Sequence, residues 1–320
     1  MDRPRSRPAR VTALALAALI GLAGAAWGQS ALKGLRAERW IAARSDPVVV
    51  LSREPTECLS WPSDPEQRLS VTIGRAAFRD PLLLGGQAAR SGVSCESCHR
   101  AGRDNPDFHF PGVSGAPGTA DVTSSLFSSH RGDGQDNPKV IPDLSVAKSR
   151  LKVAQDKASG DLERFITGLV TQEFDGRQPP AAVLSGLADY VRALDPKACP
   201  AQTSRPITAQ ALLSDADQAL ETAATLSARG DNAAAQAMVR AARARLFLVD
   251  ERMTDPKLRA RLRAFDQTLA RALTAPAMTQ ARQDLGRDLT PAILRKAETS
   301  LFNSNRLAPI ADSALPRRSS

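Results

Sequence analysis

The stretch SGVSCESCHRAG, residues 91–102, sets Cys95 and Cys98 three positions apart with His99 directly behind them. The chain holds only four cysteines and three histidines in 320 residues, so three of these seven fall within five positions. Two thiols on a turn that becomes helical can add to the two vinyl groups of one porphyrin, and the next imidazole then reaches the iron. A zinc half-site, a redox dithiol or a plain disulfide would use the same two cysteines. Zinc requires a second ligand pair at fixed spacing, which Cys58 and Cys199 do not supply. A thioredoxin-like pair follows a strand and opens a helix in a βαβ context, and no such context is evident. The expectation is one covalent haem c on Cys95 and Cys98, with His99 as the proximal iron ligand.

The N-terminus agrees with that chemistry. Arg3, Arg5, Arg7 and Arg10 precede the apolar run VTALALAALIGLAGAAW, residues 11–27, and Ala26-Trp27-Gly28 puts small residues at a cleavage spacing. Residues 1–28 read as a secretory signal peptide, in preference to an anchor at 11–27 whose length is at the lower limit for spanning a bilayer. No other segment reads as a membrane span. The mature chain is therefore expected in the periplasm, where thiols are committed to disulfides or other bonds and haem is attached after export. Cys58 and Cys199 flank the motif and are expected to pair as a disulfide.

Hydrophobic content of 42% and charged content of 24% are those of a globular protein, and aromatic residues make up only 4%. The formal charge is +9, without a Lys/Arg stripe interleaved with aromatics. Nucleic acid is not indicated. A moderately basic surface suits an acidic redox protein partner. No P-loop, dinucleotide fingerprint or Ser/His/Asp hydrolase pattern occurs.

Along the chain, residues 29–66 form a mixed, proline-bearing N-terminal extension with one short β-like run, Val48-Val49-Val50-Leu51. Helical text runs from Ser70 to Ala77, from 161 to 171 and from 180 to 195, where Leu184, Leu187, Val191 and Leu194 recur at helical spacing. Residues 85–145 are rich in glycine and proline with little periodicity. So long an irregular stretch is reasonable in a compact unit if a prosthetic group supplies part of the core. Residues 198–206 read as a polar linker. From 207 to 302 an Ala/Leu/Arg-rich α-helical module follows, with stripes Leu212, Ala216, Leu220, Ala223, Leu226 and Leu258, Leu262, Phe265, Leu269, Leu273. Four amphipathic helices are expected there, as a small bundle or stacked hairpins. Asp255-Pro256 and Thr290-Pro291 read as helix caps followed by proline. Residues 303–320 read as a disordered tail.

The segment GRAAFRDPLLLGGQAARSGVSCESCH resembles the haem-binding segment of the di-haem cytochrome c peroxidase and MauG superfamily. PGTADVTSSLFSSHRGDG and GLADYVRALDP resemble that superfamily and class I c-type cytochromes. The likeness covers roughly residues 67–197. It implies an all-α, class I cytochrome c-like domain with long loops, in which Gly74 and Phe78 of the first helix cross Tyr190 and Val191 of the last. Di-haem peroxidases carry a second C-x-x-C-H, and this chain has none, so one copy cannot assemble a two-haem peroxidase.

The sixth iron ligand separates an electron carrier from a catalyst. Class I cytochromes usually place a Met shortly before the last helix, where this chain reads Glu173-Phe174-Asp175-Gly176-Arg177. Met238, Met253 and Met278 lie in the helical module and read as core filler. His130, in a loop roughly thirty residues beyond the motif, is the preferred distal ligand, with His109 the alternative. The first expectation is an electron-transferring mono-haem cytochrome whose helical module docks a partner or forms a homo-oligomer. The alternative is a peroxidase-like enzyme with an open iron face, completed by a partner haem. A haem-based sensor ranks third.

Overall fold

The computed structural model describes Leu35 and residues 40–314, and the expected signal peptide lies outside the described residues. The chain begins with a short helix α1 (Pro47–Ser52) and strand β1 (Arg53–Pro55), then helix α2 (Pro65–Phe78). Two short helices, α3 (Gly86–Arg90) and α4 (Cys95–Cys98), precede a long irregular stretch whose strands are β2 (Thr119–Ala120) and β3 (Lys139–Val140). Helices α5 (Asp161–Gly168) and α6 (Ala181–Ala193) complete this part, and β4 (Ser204–Pro206) leaves it. Helices α7 (Ala209–Ala228), α8 (Asn232–Arg252), α9 (Pro256–Ala270), α10 (Ala275–Asp284), α11 (Thr290–Lys296) and α12 (Ser304–Ala314) follow. The protein is thus mostly helical, as expected for an all-α chain.

Local chemistry explains the helix starts. Asp64 accepts a hydrogen bond from the Gln67 N–H at 2.8 Å, with Pro65 in the first turn. That cap starts α2 five positions before Ser70, earlier than the apolar text suggests. Asp231 and Asp255 cap α8 and α9 in the same way. Thr290 does not act as a cap. A π-helical turn at Leu285–Leu289 carries α10 on into α11, and Thr290 itself is helical.

Two further expectations are corrected. Val48–Leu51 is helical rather than β-like, because Asp46 caps the Val48 and Val49 N–H groups and Pro47 fits the first turn. Two arginines then take up the carbonyls at the other end of α1: buried Arg252 donates to Leu51 O, and half-buried Arg100 to Val50 O and Arg53 O. The expected disordered tail contains α12, which packs on α1. Leu307 and Ala311 join Leu35, Ile41, Leu51 and Leu301 in a small second core. Burying that apolar face supplies the stability that propensity alone would not give so short a helix.

Helices α2 and α6 cross at two glycines. A Cβ on Gly74 would lie 1.8 Å from the Gly186 carbonyl oxygen, so only glycine lets these backbones touch. Phe78 then meets Tyr190 edge-on at 5.1 Å between ring centroids. The pairing of first and last helices is the one the resemblance implies, made through Gly186 rather than Val191.

The start and the exit of this part are joined three times. Cys58 and Cys199 form a disulfide with Cα atoms 4.1 Å apart. Strands β1 and β4 pair antiparallel with Glu54 opposite Arg205, so the expected linker at 198–206 is tied down. The Asp195 N–H donates to the Cys58 carbonyl. The 207–302 region holds α7, α8, α9 and a fourth helical run in which α10 continues through the π turn into α11, which matches the four helices expected. Its apolar stripes, apart from the exposed Leu273, share one continuous core with α2 and α6. Among the described residues no helix is long and apolar enough to cross a membrane.

Candidate functional site

Helix α4 is a single turn held by a reciprocal cap. The Ser94 side chain accepts from the backbone of Ser97, and the Ser97 hydroxyl accepts from the Ser94 N–H at 3.0 Å. The turn places Cys95 and Cys98 at its two ends, both partly buried, both free thiols, and both packed against the core. Burial pushes each thiol up to about 12, so both are neutral S–H groups. Thioredoxin-type redox pairs work through a thiolate with a depressed pKa, the opposite direction from these two thiols.

His99 closes the turn, its N–H donating to the Cys95 carbonyl at 2.7 Å. Its ring Nδ1 lies 3.0 Å from the Pro142 carbonyl oxygen. A carbonyl only accepts, so Nδ1 carries the proton and Nε2 keeps its lone pair. Burial lowers the imidazole pKa and outweighs the Pro142 carbonyl, which favours the neutral ring. The result is a neutral imidazole of fixed tautomer beside two neutral thiols. Pro142 carries no side-chain signal for this role, and only the folded loop brings its carbonyl to the ring.

Past His99 the chain turns sharply, with Ala101 at φ 55°. Glu96 braces that left-handed residue. One carboxylate oxygen accepts from the Ala101 N–H at 3.2 Å, and the other lies 3.3 Å from Arg79 Nε. Asn105 adds a bond from its side-chain amide to the Ser97 carbonyl at 2.8 Å.

The other two histidines part company. His109 sits in a strand-like segment, its N–H donating to the Trp40 carbonyl, between the buried rings of Phe108 and Phe110. His130 lies 2.9 Å through Nδ1 from Asp175 Oδ1, and its side chain is 56% exposed. Asp175 also accepts from the Ser129 N–H and hydroxyl. Burial would raise the Asp175 pKa, but the Ser129 and His130 donors outweigh it and keep the carboxyl ionised. The fold thus carries His130 to the segment just before α6, where Phe174 stands. Phe174 closes an aromatic run with Phe127, Phe110 and Trp40. Met238, Met253 and Met278 are fully buried in the helical module, as core.

A buried ionic cluster beneath the motif was not anticipated. Arg79, 4% exposed, meets Glu57 at 3.2 Å, Glu96 at 3.3 Å and Asp215 at 3.1 Å. Arg75 meets Glu57 and Asp215 at 2.8 and 2.7 Å, and the Tyr190 hydroxyl donates to Glu57 at 2.7 Å. The sequence signal was the Arg75/Arg79 pair, one turn apart on the apolar helix α2. Elsewhere a groove of about 790 Å³ opens between 80–92 and the faces of α8 and α9, and neither thiol nor His99 lines it. Among the described residues no three His, Cys, Asp or Glu side chains gather as a metal cage. Comparison of the chain with protein families, with curated proteins and with solved structures finds no match.

Proposed function

We propose that this protein is an exported c-type cytochrome that passes single electrons through one covalently bound haem. The observation that carries the reading is the His99 ring, tied through Nδ1–H to the Pro142 carbonyl with Nε2 left free, one residue behind two unpaired thiols. The donor set fits the group: two unpaired thiols can each supply the sulfur and the hydrogen that add across a vinyl bond, and a neutral imidazole is the form that binds iron. In an oxidising compartment the only disulfide, among the described residues, uses the other two cysteines. The resemblance to the cytochrome c peroxidase and MauG superfamily supports the same assignment.

Bound there, the haem supplies reversible one-electron chemistry between ferric and ferrous iron. The chain's own residues do the rest. Pro142 fixes the proximal ring, and Phe78, 6.4 Å from the His99 ring, forms part of the apolar wall. His130 is our choice for a second iron ligand, supported by its partner: Asp175 lies against Nδ1 and would leave Nε2 available, a common arrangement for a ligating histidine. The basic surface suits an acidic redox partner. A peroxidase-type reading is favoured by one observation, the exposure of His130, which would leave a weakly held sixth position.

The test is a reduced-minus-oxidised spectrum of protein exported by a host that attaches haem c. A c-type spectrum in pigment that acidified acetone does not extract is expected, with ferric low-spin bands unmoved by cyanide or peroxide. A colourless product, or one whose pigment is extracted, overturns the proposal. High-spin iron that reacts with peroxide replaces the carrier with the enzyme. His130→Ala should convert the iron to high spin, and an unchanged spectrum removes His130 from the sixth position.

A further inference from the structure

The ionic cluster has an uneven ownership. Arg75 and Arg79 belong to α2, Glu57 to the segment before it, and Glu96 to the turn between the two thiols. The remaining members, Asp215 on α7 and Arg245 on α8, come from the helical module. Asp215 is the hub. Its carboxylate meets Arg75 Nη1 at 2.7 Å, Arg79 Nη1 at 3.1 Å and Arg245 Nε at 3.4 Å. Arg79 hands this interaction on to Glu96, and Glu96 to the Ala101 N–H just past His99.

The cluster is not closed. Arg245 is 9% exposed, and its Nε has no aligned hydrogen bond. A cavity of about 10 Å³ is lined by Thr72, Arg75, Arg79, Asp215 and Arg245, among others. That is room for roughly one water molecule, and the polar walls would hold one. Three guanidiniums face three carboxylates, so removing either Asp215 or Arg245 alone leaves an unbalanced charge in the buried cluster. Charges out of contact with solvent act over longer distances than surface ones, since little water screens them.

We propose that the helical module is a positioning element of the redox centre: through Asp215 and Arg245 it fixes the Arg79–Glu96 pair that braces the turn between Cys95 and Cys98, and it thereby sets the haem midpoint potential. The inference rests on the haem reading above and deepens it. Asp215 is a positioning residue that acts through Arg79. Its substitution by asparagine removes one buried negative charge while keeping the shape. The more positive ferric state then loses stabilisation, so the midpoint potential rises. Arg245→Gln removes a buried positive charge and lowers the potential.

The test is a spectroelectrochemical titration of the full-length haem-bearing protein and three variants. Asp215→Asn should shift the midpoint upward and Arg245→Gln downward. Asp217→Asn is the control, because Asp217 pairs on the surface of the same helix with Arg282, and it should leave the potential unmoved. A shift in Asp215→Asn no larger than in Asp217→Asn overturns the inference. Should Asp215→Asn fail to fold, Arg245→Gln decides alone, and an unmoved or raised potential there overturns it. Wild-type protein without haem removes the haem reading and this inference together. Haem-bearing wild type with unmoved variants removes only the inference.

Discussion

From Gly102 to Ser145 the backbone makes one two-residue ladder, β2 against β3, whereas from Ala209 to Lys296 four helical runs follow one another, the last being α10 continued into α11. The first region is held by short polar side chains that bond its own backbone. Asp121 accepts from Thr123 and Asn137, and the Ser128 hydroxyl donates to Gln172 O while receiving the His130 and Arg131 N–H groups. The second is held by apolar stripes, with Leu213, Leu220, Met238, Leu269 and Met278 fully buried. One region stores its order in turns around a chemical motif, the other in helix packing. The disulfide, the α2–α6 crossing and the Arg79 cluster stand between them and couple the two.

The largest effect expected is on the motif side. Replacing both Cys95 and Cys98 by alanine should abolish covalent haem, read as the loss of one haem mass from the intact protein. Hydrogen exchange should then speed up across 103–145 while α7–α9 keep their protection. Equal loss in both regions would end the distinction drawn here. Next comes the staple. The Cys58–Cys199 bridge spans 141 residues, and a loop of that size is worth about 5 kcal/mol on chain-entropy grounds. The double alanine variant should lose stability of that order in urea titration; a change of a few tenths would mean that β1–β4 pairing carries the closure alone.

Gly74→Ala comes third. The added methyl collides with the Gly186 backbone rather than with a movable side chain. A loss of about 3 kcal/mol is expected, at the upper end for overpacking, and a melting temperature within a degree or two of wild type would count against the crossing. The smallest effect is on the acid limb. Burial raises the Asp215 pKa, but Arg79, Arg245 and Arg75 outweigh it and hold this carboxyl well below the usual range. A depressed folded pKa gives stability that is present above the unfolded value near ~4 and is lost as pH falls through the folded one. The stability gap between wild type and Asp215→Asn should therefore narrow as pH falls below about 4. A gap that stays constant would show that Asp215 gains nothing from its arginines.

Much of this organisation was legible in the residues. The C-x-x-C-H turn, the pairing of Cys58 with Cys199, the helices around 70–77, 161–171 and 180–195, and the helical character after 207 could all be read directly. Each depends on local spacing, or on two leftover thiols having only one another. The failures had a common source. Val48–Leu51 looked like a strand because β-branched residues dominate it, but Asp46-Pro47 and two distant arginines decided otherwise. The stretch after Phe302 looked like a tail because its apolar face has no partner nearby in sequence; the partner is α1. Thr290 looked like a cap because nothing in the sequence reveals that α10 runs on through a π turn.

By itself the amino-acid sequence determined the spacing of two thiols and an imidazole, because that geometry is complete within five consecutive residues. Tertiary structure alone decided what surrounds them. The Pro142 carbonyl that orients His99 comes from 43 positions away, and Arg79 draws carboxylates from 17, 22 and 136 positions away. A buried charge is tolerable only when such partners converge, and convergence over that distance is a property of the folded chain.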